Sequence, residues 1–535
     1  MNLSLLAVII LLYLAVITNL VYIGYKQTNT SEDYMIAGRD IHPGIMALSY
    51  GATFISTSAI VGFGGVAAQF GFSLLWLTFL NIFVGVLIAF AFFGIRIRKM
   101  SKNLNSNTFA SFIGQRYKNK KLTIFSGFMI FIFMPAYTSI ILIGGARFLQ
   151  EALNIDYNIA LFVLAIVVGI YVITGGLKAV MYSDAFSALV MFIGMIFLLI
   201  GGYRAVGGVI EGHQRLAQLT EQVPQALTEI GHQGWTSMPA LGSPLWWTVM
   251  STIVLGVGIG VLAQPQLSMR FMTVNKTKSL YQAILVGGIF IFMMTGTVFM
   301  IGPLSNLYFF EAEGMIAAEV VPDGNIDLII PTFINEIMPT WFLYLFMLTM
   351  LSAAISTVSS LVHVQGAAFG RDIFQTINSL KDEKEINTAF MSRVGVIIGL
   401  IAAILLAYIM PISIIARATA FWFGICAAGF LPLLLGALYW KKASGKAAFI
   451  SALVGYGVSI FGYVFMHASE AGPIGLVQFL LGRETLLGFP WNVIDPLVYS
   501  LPISGAVFII ISLINKPVNK KHVQKCFKGI SKSNN

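Results

Sequence analysis

The chain has 535 residues, of which 57% are hydrophobic and only 10% charged, and its formal net charge is +10. Soluble domains carry roughly 25% charged residues, so this composition excludes a soluble enzyme. The sequence also lacks the ten-residue stretches of alternating polarity that are typical of membrane β-barrels. Because backbone groups in lipid must be hydrogen-bonded within the structure, the sequence predicts an all-α membrane protein.

The apolar residues form about 13 segments that are predicted to be transmembrane helices. A membrane-spanning helix needs about 20 mostly apolar residues. In chain order, segments 1 to 13 cover residues 4–25, 43–70, 72–95, 122–147, 157–175, 180–203, 244–264, 279–303, 337–368, 390–409, 411–439, 446–467 and 494–515.

The basic residues predict how these segments are oriented. Most of the 32 lysines and arginines, including Arg270, fall in alternate connections between segments. The positive-inside rule places these connections in the cytoplasm, which predicts an N-out/C-in protein with an odd number of helices. The positive charge therefore indicates membrane topology, and we expect no nucleic acid partner. The expected location is the inner (cytoplasmic) membrane, with a multi-pass arrangement.

Two segments contain stretches that are predicted to interrupt their helices. Segment 2 contains GATFISTSAIVGFGG, from Gly51 to Gly65, and segment 7 contains LGVGIGVLAQPQ, from Leu255 to Gln266. Small residues also serve tight helix packing, so neither stretch is decisive alone. Together they open two successive five-segment blocks, which must lie in opposite orientations because five is odd. This arrangement predicts an inverted five-plus-five repeat with a broken first helix in each half.

The predicted organisation of the chain follows from these blocks. It consists of a leading transmembrane helix and cytoplasmic link (1–42), a first inverted repeat of segments 2 to 6 (43–204), an external loop (205–243), a second inverted repeat of segments 7 to 11 (244–439), two trailing helices (440–515) and a basic cytoplasmic tail (516–535).

Segment 9 carries four hydroxyl residues deep in the predicted membrane. Ser356, Ser359 and Ser360 share one helix face, and Thr357 lies about 100° around the helix from Ser356. Such hydroxyls often bond to carbonyl groups of neighbouring helices. They are also oxygen ligands of the kind that a small hard cation prefers. Both interpretations remain open from the residues alone.

Asp184 lies near the start of segment 6, and it is the second candidate for ion chemistry. A carboxylate inside the membrane is costly and indicates function by default. The alternative is a structural pair with the nearby Lys178.

Four motifs occur in a characteristic order: DYMIAGRDIHPGIMALSYGATFIS, GGLKAVMYSD, QPQLSMRFMT, and AAISTVSS with RDIF downstream. With them, residues 1–515 resemble the sodium:solute symporter family, which includes sodium/proline, glucose, sialate, iodide, pantothenate and monocarboxylate carriers. The resemblance implies a secondary active transporter and not an enzyme. Such a protein couples inward sodium movement to uptake of a small organic solute by alternating access. The implied partners are sodium ions, a small-molecule solute and the lipid bilayer.

The resemblance also assigns ion-binding residues. It implies a main sodium site at Ala52, Ile55, Ala353, Ser356 and Thr357. Some family members have a second sodium site, whose matching residues here are Asp184, Ser356, Ser359 and Ser360.

The solute is predicted less closely than the ion. The implied substrate-binding residues are Thr53, Phe54, Ser56, Ser58, Gln264, Thr78 and Asn81. Phe54 replaces an aspartate of proline carriers, which resembles the iodide, vitamin and monocarboxylate branch, so the expected solute is a carboxylate, an amino acid or a vitamin-like compound. Three alternatives remain: a proton-coupled solute transporter that uses Asp184, a sugar-type substrate, and a solute sensor.

Overall fold

The computed structural model describes residues 2–172, 176–276, 279–381 and 387–530, and within these ranges it contains helices and no β-strand. Eleven helical runs of the described chain are long and apolar enough to cross a membrane. The predicted all-α membrane protein is therefore confirmed. One of the eleven runs, Ser58–Leu104, covers the end of segment 2 and all of segment 3. The count of 13, the orientation and the inverted repeat stay predictions.

The first part of the chain forms ten helices, and π-helical turns over Ser58–Gly62 and Phe83–Gly94 join some of them. These helices are α1 (Leu3–Lys26), α2 (Ser31–Ile36), α3 (Pro43–Phe54), α4 (Phe63–Phe70), α5 (Leu75–Ile82), α6 (Ile95–Leu104), α7 (Phe109–Arg116), α8 (Lys120–Leu153), α9 (Tyr157–Val172) and α10 (Leu177–Ala205).

The middle of the chain continues with short helices in the predicted external loop and then with long apolar helices. These are α11 (Val209–Gln218), α12 (Gln225–Glu229), α13 (Pro244–Trp247), α14 (Gly258–Gly260), α15 (Pro265–Met272), α16 (Ser279–Glu313), α17 (Ala317–Val320), α18 (Ile329–Ile337), α19 (Thr340–Ala367), α20 (Thr376–Asn378), α21 (Thr388–Ile409) and α22 (Ile415–Tyr439). The last helices are α23 (Gly445–Phe465), α24 (Ala468–Ile474), α25 (Leu476–Leu481), α26 (Leu497–Ile514) and α27 (Lys520–Cys526).

The helices differ strongly in how far they are enclosed. In an apolar 18-residue stretch of the helical run that contains α19, 89% of the residues are buried, whereas only 22% are buried in the corresponding stretch of α1. The centre of the molecule therefore lies around α19, which packs against α3, α8 and α10. The peripheral α1 still reaches this centre, because the hydroxyl of Tyr13 lies 2.8 Å from Ser352 Oγ and 3.2 Å from Ser187 Oγ.

Two helix breaks fall within the stretches that were predicted to be interrupted. After α3 ends at Phe54, Ile55 is extended with φ −92° and ψ 106°. The helix restarts because the Ser56 hydroxyl accepts a hydrogen bond from the Ser58 backbone N–H at 3.2 Å, which is how serine caps a helix N-terminus. At the second break Gln264 is extended, with ψ 120°. Pro265 then opens α15, in a position where its missing N–H costs nothing.

Two connections lie against α4 and the turn that follows it. One joins α10 to α13, and the other joins α16 to α19. The backbone carbonyl of Trp235 accepts a hydrogen bond from the Phe72 N–H at 2.7 Å. In the second connection, the carbonyl of Ile326 lies so close to α4 that a Cβ atom at Gly65 would be only 2.0 Å from it. The neighbouring Asp327 is buried beside the N-terminus of α22.

Candidate functional site

The first break places a backbone carbonyl against the hydroxyl pair of α19. The last four carbonyls of a helix have no partner within it, and Ala52 belongs to the last turn of α3. The Ala52 carbonyl accepts hydrogen bonds from Ser356 Oγ at 3.1 Å and from Thr357 Oγ1 at 3.2 Å. Ser356 Oγ also lies 3.4 Å from the Ala353 carbonyl. The structure thus brings these four residues of the predicted main sodium site together in a fully buried place, with Ile55 at the break beside them.

A second buried cluster, to which α15 contributes Arg270, surrounds the carboxylate of Asp184. Asp184 Oδ2 accepts hydrogen bonds from Ser49 Oγ at 2.8 Å, from Arg270 Nη2 at 3.0 Å and from Ser360 Oγ at 3.3 Å. Arg270 Nη2 also donates to Thr53 Oγ1 at 2.9 Å and contacts Ser360 Oγ. All five side chains are essentially inaccessible to solvent. Residues from α3, α10, α15 and α19 therefore form one ion-pair network.

The structure corrects the sequence analysis on Arg270. This residue was assigned to a cytoplasmic connection, but α15 continues to Met272 and places Arg270 inside the bundle with 0% exposure. Its guanidinium is the charged partner of Asp184, so the expected alternative pair with Lys178 is wrong. A signal was present in the sequence: two isolated charges of opposite sign lie in apolar surroundings, and a buried charge requires a partner.

The hydroxyls of the predicted second sodium site divide among three environments. Ser356 faces Ala52, Ser360 faces Asp184 and Arg270, and Ser359 Oγ donates to the Ser356 carbonyl of its own helix at 3.1 Å. Of these three serines of α19, only Ser360 therefore contacts Asp184 directly.

Aromatic and hydroxyl side chains surround the first break on the side of α8 and α22. Ser56 Oγ and Ser58 Oγ are 2.7 Å apart, and the Tyr137 hydroxyl of α8 lies beside both. The Tyr137 ring stacks on Trp422 of α22, with ring centroids 6.4 Å apart and planes at 17°. In the described part of the chain, the indole Nε1 of Trp422 is buried without a hydrogen-bond partner. Neither residue was among the site residues expected from the sequence, because an unpartnered indole N–H is visible only in the tertiary structure.

The other predicted solute residues lie in different places. Phe54 stacks on Phe423, with centroids 6.1 Å apart, and so joins the aromatic group of Tyr137 and Trp422. Thr53 instead belongs to the cluster around Asp184. Gln264 lies at the second break, where its Nε2 donates to the Gly260 carbonyl at 3.3 Å and its Oε1 accepts from Gln266 Nε2 at 3.0 Å.

Thr78 and Asn81 both lie on α5. Thr78 lines a surface groove together with Met293 and Thr297. Asn81 is buried, and within the described ranges its amide oxygen has no hydrogen-bond partner. In the described part of the chain the Thr78 hydroxyl likewise has no hydrogen-bond partner, so the role of both residues in solute binding stays a prediction.

Comparison with known proteins identifies the family. The sodium:solute symporter family model matches residues 34–455, which is most of the chain. The chain belongs to this family. The predicted function, sodium-coupled solute uptake, is thereby confirmed as a class, and so is the assignment to transporters instead of enzymes.

Relatives of the symporter transport different solutes. It is 27% identical to a sodium/pantothenate symporter of Haemophilus influenzae over 86% of this chain and 92% of the relative. It is 26% identical to a high-affinity proline transporter of Bacillus subtilis over 81% of this chain and 87% of the relative. Among solved structures, a Na+-coupled sialic acid symporter in a substrate-bound outward-open state shares the fold, with a TM-score of 0.70. That match has 18% identity and covers 96% of this chain and 99% of the other.

Proposed function

We propose that this symporter drives the uptake of a small organic carboxylate across the inner (cytoplasmic) membrane with one sodium ion bound at the first helix break. The ion ligands are the oxygen atoms of Ala52, Ile55, Ala353, Ser356 and Thr357. In this proposal the chain crosses the membrane 13 times in the N-out/C-in orientation and contains the inverted five-plus-five repeat expected from the sequence. The observation that carries it is the convergence of the Ser356 and Thr357 hydroxyls on the Ala52 carbonyl.

The composition of the ion site supports sodium as the coupling ion. Its oxygen donors are neutral backbone and hydroxyl groups, which suit a small hard cation and carry no proton that titrates near neutral pH. Ala52 lies on the broken helix, whereas Ser356 and Thr357 lie on α19, in the other predicted repeat. An ion bound between them stabilises one arrangement of the two repeats. Its release then permits the other arrangement, which is the requirement for alternating access.

The surroundings of the break favour an anionic solute. The half-helix that restarts at Ser58 points its N-terminus, the positive end of its dipole, towards the Ser56, Ser58 and Tyr137 hydroxyls. Half-helix ends of this kind bind substrate carboxylates in transporters. In the described chain the Ser56 and Ser58 hydroxyls are hydrogen-bonded to one another and to Tyr137, none of which is charged, while Asp184 is paired with Arg270. A solute ammonium group would therefore lack a counter-charge, which favours a simple or vitamin-like carboxylate over an amino acid.

A solute panel tests this proposal on purified protein. Each compound is added in sodium and in a sodium-free medium, and the unfolding temperature is measured, since a ligand of the folded state raises it by mass action. We expect stabilisation by a carboxylate that lacks an ammonium group, and only with sodium. Uptake into proteoliposomes under a sodium gradient, or under a pH gradient alone, then separates sodium coupling from proton coupling through Asp184. Stabilisation by amino acids or sugars alone contradicts the carboxylate assignment.

A tryptophan variant tests the position of the solute. Trp422→Phe keeps an aromatic ring but removes the unpartnered N–H, so we expect weaker solute binding and unchanged sodium binding in the absence of solute. Trp235→Phe is a matched control, because Trp235 Nε1 is also buried without a partner in the described chain but lies in the connection before α13. Equal effects of the two variants on solute affinity would contradict this placement. Gln264→Ala tests the second break in the same way.

A further inference from the structure

The buried cluster around Asp184 already contains a cation, which is the guanidinium of Arg270. Arg270 Nη2 lies 3.0 Å from Asp184 Oδ2 and 2.9 Å from Thr53 Oγ1, and it contacts Ser360 Oγ. Arg270 Nε donates to Ser49 Oγ at 3.2 Å. The carboxylate and three hydroxyls thus contact one side chain of the protein itself.

Charge balance determines what else this cluster can bind. Asp184 supplies one negative charge, and the buried Arg270 neutralises it at every physiological pH, because arginine does not lose its proton in proteins. Asp184 Oδ1 has no hydrogen-bond partner in the described chain. A sodium ion at that oxygen would nevertheless stand next to a fixed cation in a medium of low dielectric constant, where like charges repel strongly.

We propose that Arg270 takes the place of a second sodium ion, so that the symporter binds one sodium ion and not two. This inference rests on the proposed function of the Ala52, Ser356 and Thr357 site. Arg270 is a positioning residue for coupling. It holds the Asp184 carboxylate and the Ser360 hydroxyl together, as a second ion would otherwise do.

The position of Arg270 in the fold explains why a tethered cation is useful there. Arg270 belongs to α15, the part of the chain that follows the second break, and its partners lie on α3, α10 and α19. Its hydrogen bonds to Ser49 and Thr53 of α3 therefore link the segments beside both helix breaks, and its ion pair adds α10. A sodium ion would link α10 and α19 only while bound, whereas the arginine side chain moves together with α15.

Counting bound sodium ions tests the inference without knowledge of the solute. The probe is radioactive 22Na+ binding to purified protein, with titration in sodium chloride. We expect one ion per parent molecule, one ion in Asp184→Asn, and a loss of at least fivefold in sodium affinity in Thr357→Ala. Arg270→Gln leaves an unbalanced carboxylate, so we expect it to bind two ions, and Arg270→Gln combined with Asp184→Asn to return to one.

Arg116→Gln is the matched control for the loss of a buried arginine. Arg116 is also fully buried, but its guanidinium donates to the Ala437 and Trp440 carbonyls at 3.0 Å each. We expect this variant to bind one ion. If Arg270→Gln does not fold, the parent and Asp184→Asn still decide the question.

The outcomes separate the inference from the proposed function. Two ions in the parent and one in Asp184→Asn overturn the inference and leave the Ser356 and Thr357 site intact. One ion that is lost in Asp184→Asn but kept in Thr357→Ala overturns both the inference and the proposed function, because the ion then lies in the cluster around Asp184. An Arg270→Gln variant that folds and binds only one ion also overturns the inference.

Discussion

Replacement of Thr357 by alanine removes one proposed sodium ligand, and we expect α19 to stay helical because alanine is the best helix former. The Thr357 hydroxyl is fully buried and lies 3.2 Å from the Ala52 carbonyl. A buried polar group that loses its partner costs about 1–3 kcal/mol. At about 1.4 kcal/mol per tenfold change, the sodium dissociation constant should rise about 5- to 150-fold. By linkage, the free energy by which sodium strengthens solute binding should fall by the same amount.

The assay is a sodium titration of the unfolding temperature, followed by sodium-dependent uptake once a solute is known. Thr349→Ala is the matched control: Thr349 is equally buried on α19, but its hydroxyl donates to the Leu345 carbonyl of the same helix at 3.1 Å. It should leave sodium affinity within about twofold of the parent, since it removes no proposed ligand. The reasoning is refuted if Thr357→Ala also stays within that range, or if both variants weaken sodium binding equally.

Three further predictions concern the outer connections and the topology. Both native cysteines are buried, so a single cysteine at exposed Lys118 should react with a membrane-impermeant thiol reagent only from the cytoplasm, and one at exposed Glu221 only from outside. Burial raises the pKa of Asp327 from 3.8 to about 7, so the folded protein keeps a proton that the unfolded chain loses. Stability is then lost as pH rises through that window, and Asp327→Asn should flatten this fall in the unfolding temperature. Gly65→Ala should slow uptake, because its Cβ atom would clash with the Ile326 carbonyl when the connection covers α4.

The Asp327 and Gly65 predictions each have a control in the chain. Asp323 lies in the same connection as Asp327 but is exposed, so Asp323→Asn should leave the pH dependence of stability unchanged. A Cβ at Gly288 would meet no atom within 4 Å, so Gly288→Ala should transport normally. Reaction of the cysteine at 118 from outside would invalidate the predicted orientation. A Gly65→Ala variant with parental uptake would show that close approach of Ile326 is not needed for transport.

The sequence predicted those features that depend on local pattern. The helix break at Ile55 follows from small and hydroxyl residues in mid-segment, and the pairing of Ser356 and Thr357 follows from their adjacency on one helix. Their convergence on Ala52 could be expected only through the family resemblance, because no periodicity links positions that are 304 residues apart in the chain.

The features that sequence analysis missed depend on where a helix ends and on how side chains point. Arg270 was read as a loop cation because the break at Gln264 suggested that segment 7 ends there, whereas α15 extends the helix to Met272. Trp422 could not be distinguished from a packing residue, since its importance comes from an indole N–H without a partner and from the Tyr137 ring beside it. Both are properties of the tertiary structure.

The hydrogen bonds of Tyr13 connect α1 to the two helices that carry Asp184 and the proposed sodium ligands Ser356 and Thr357. Tyr13 joins α1 to Ser187 and Ser352, which lie one helical turn from Asp184 and Ser356. Most of α1 is open to the surrounding lipid, and transmembrane helices adjust their tilt to the thickness of the bilayer. A change in that tilt must move Tyr13 relative to at least one of its two partners. Membrane thickness is therefore a variable that sodium affinity measurements on this symporter should control, and reconstitution in lipids of different chain length would reveal its effect.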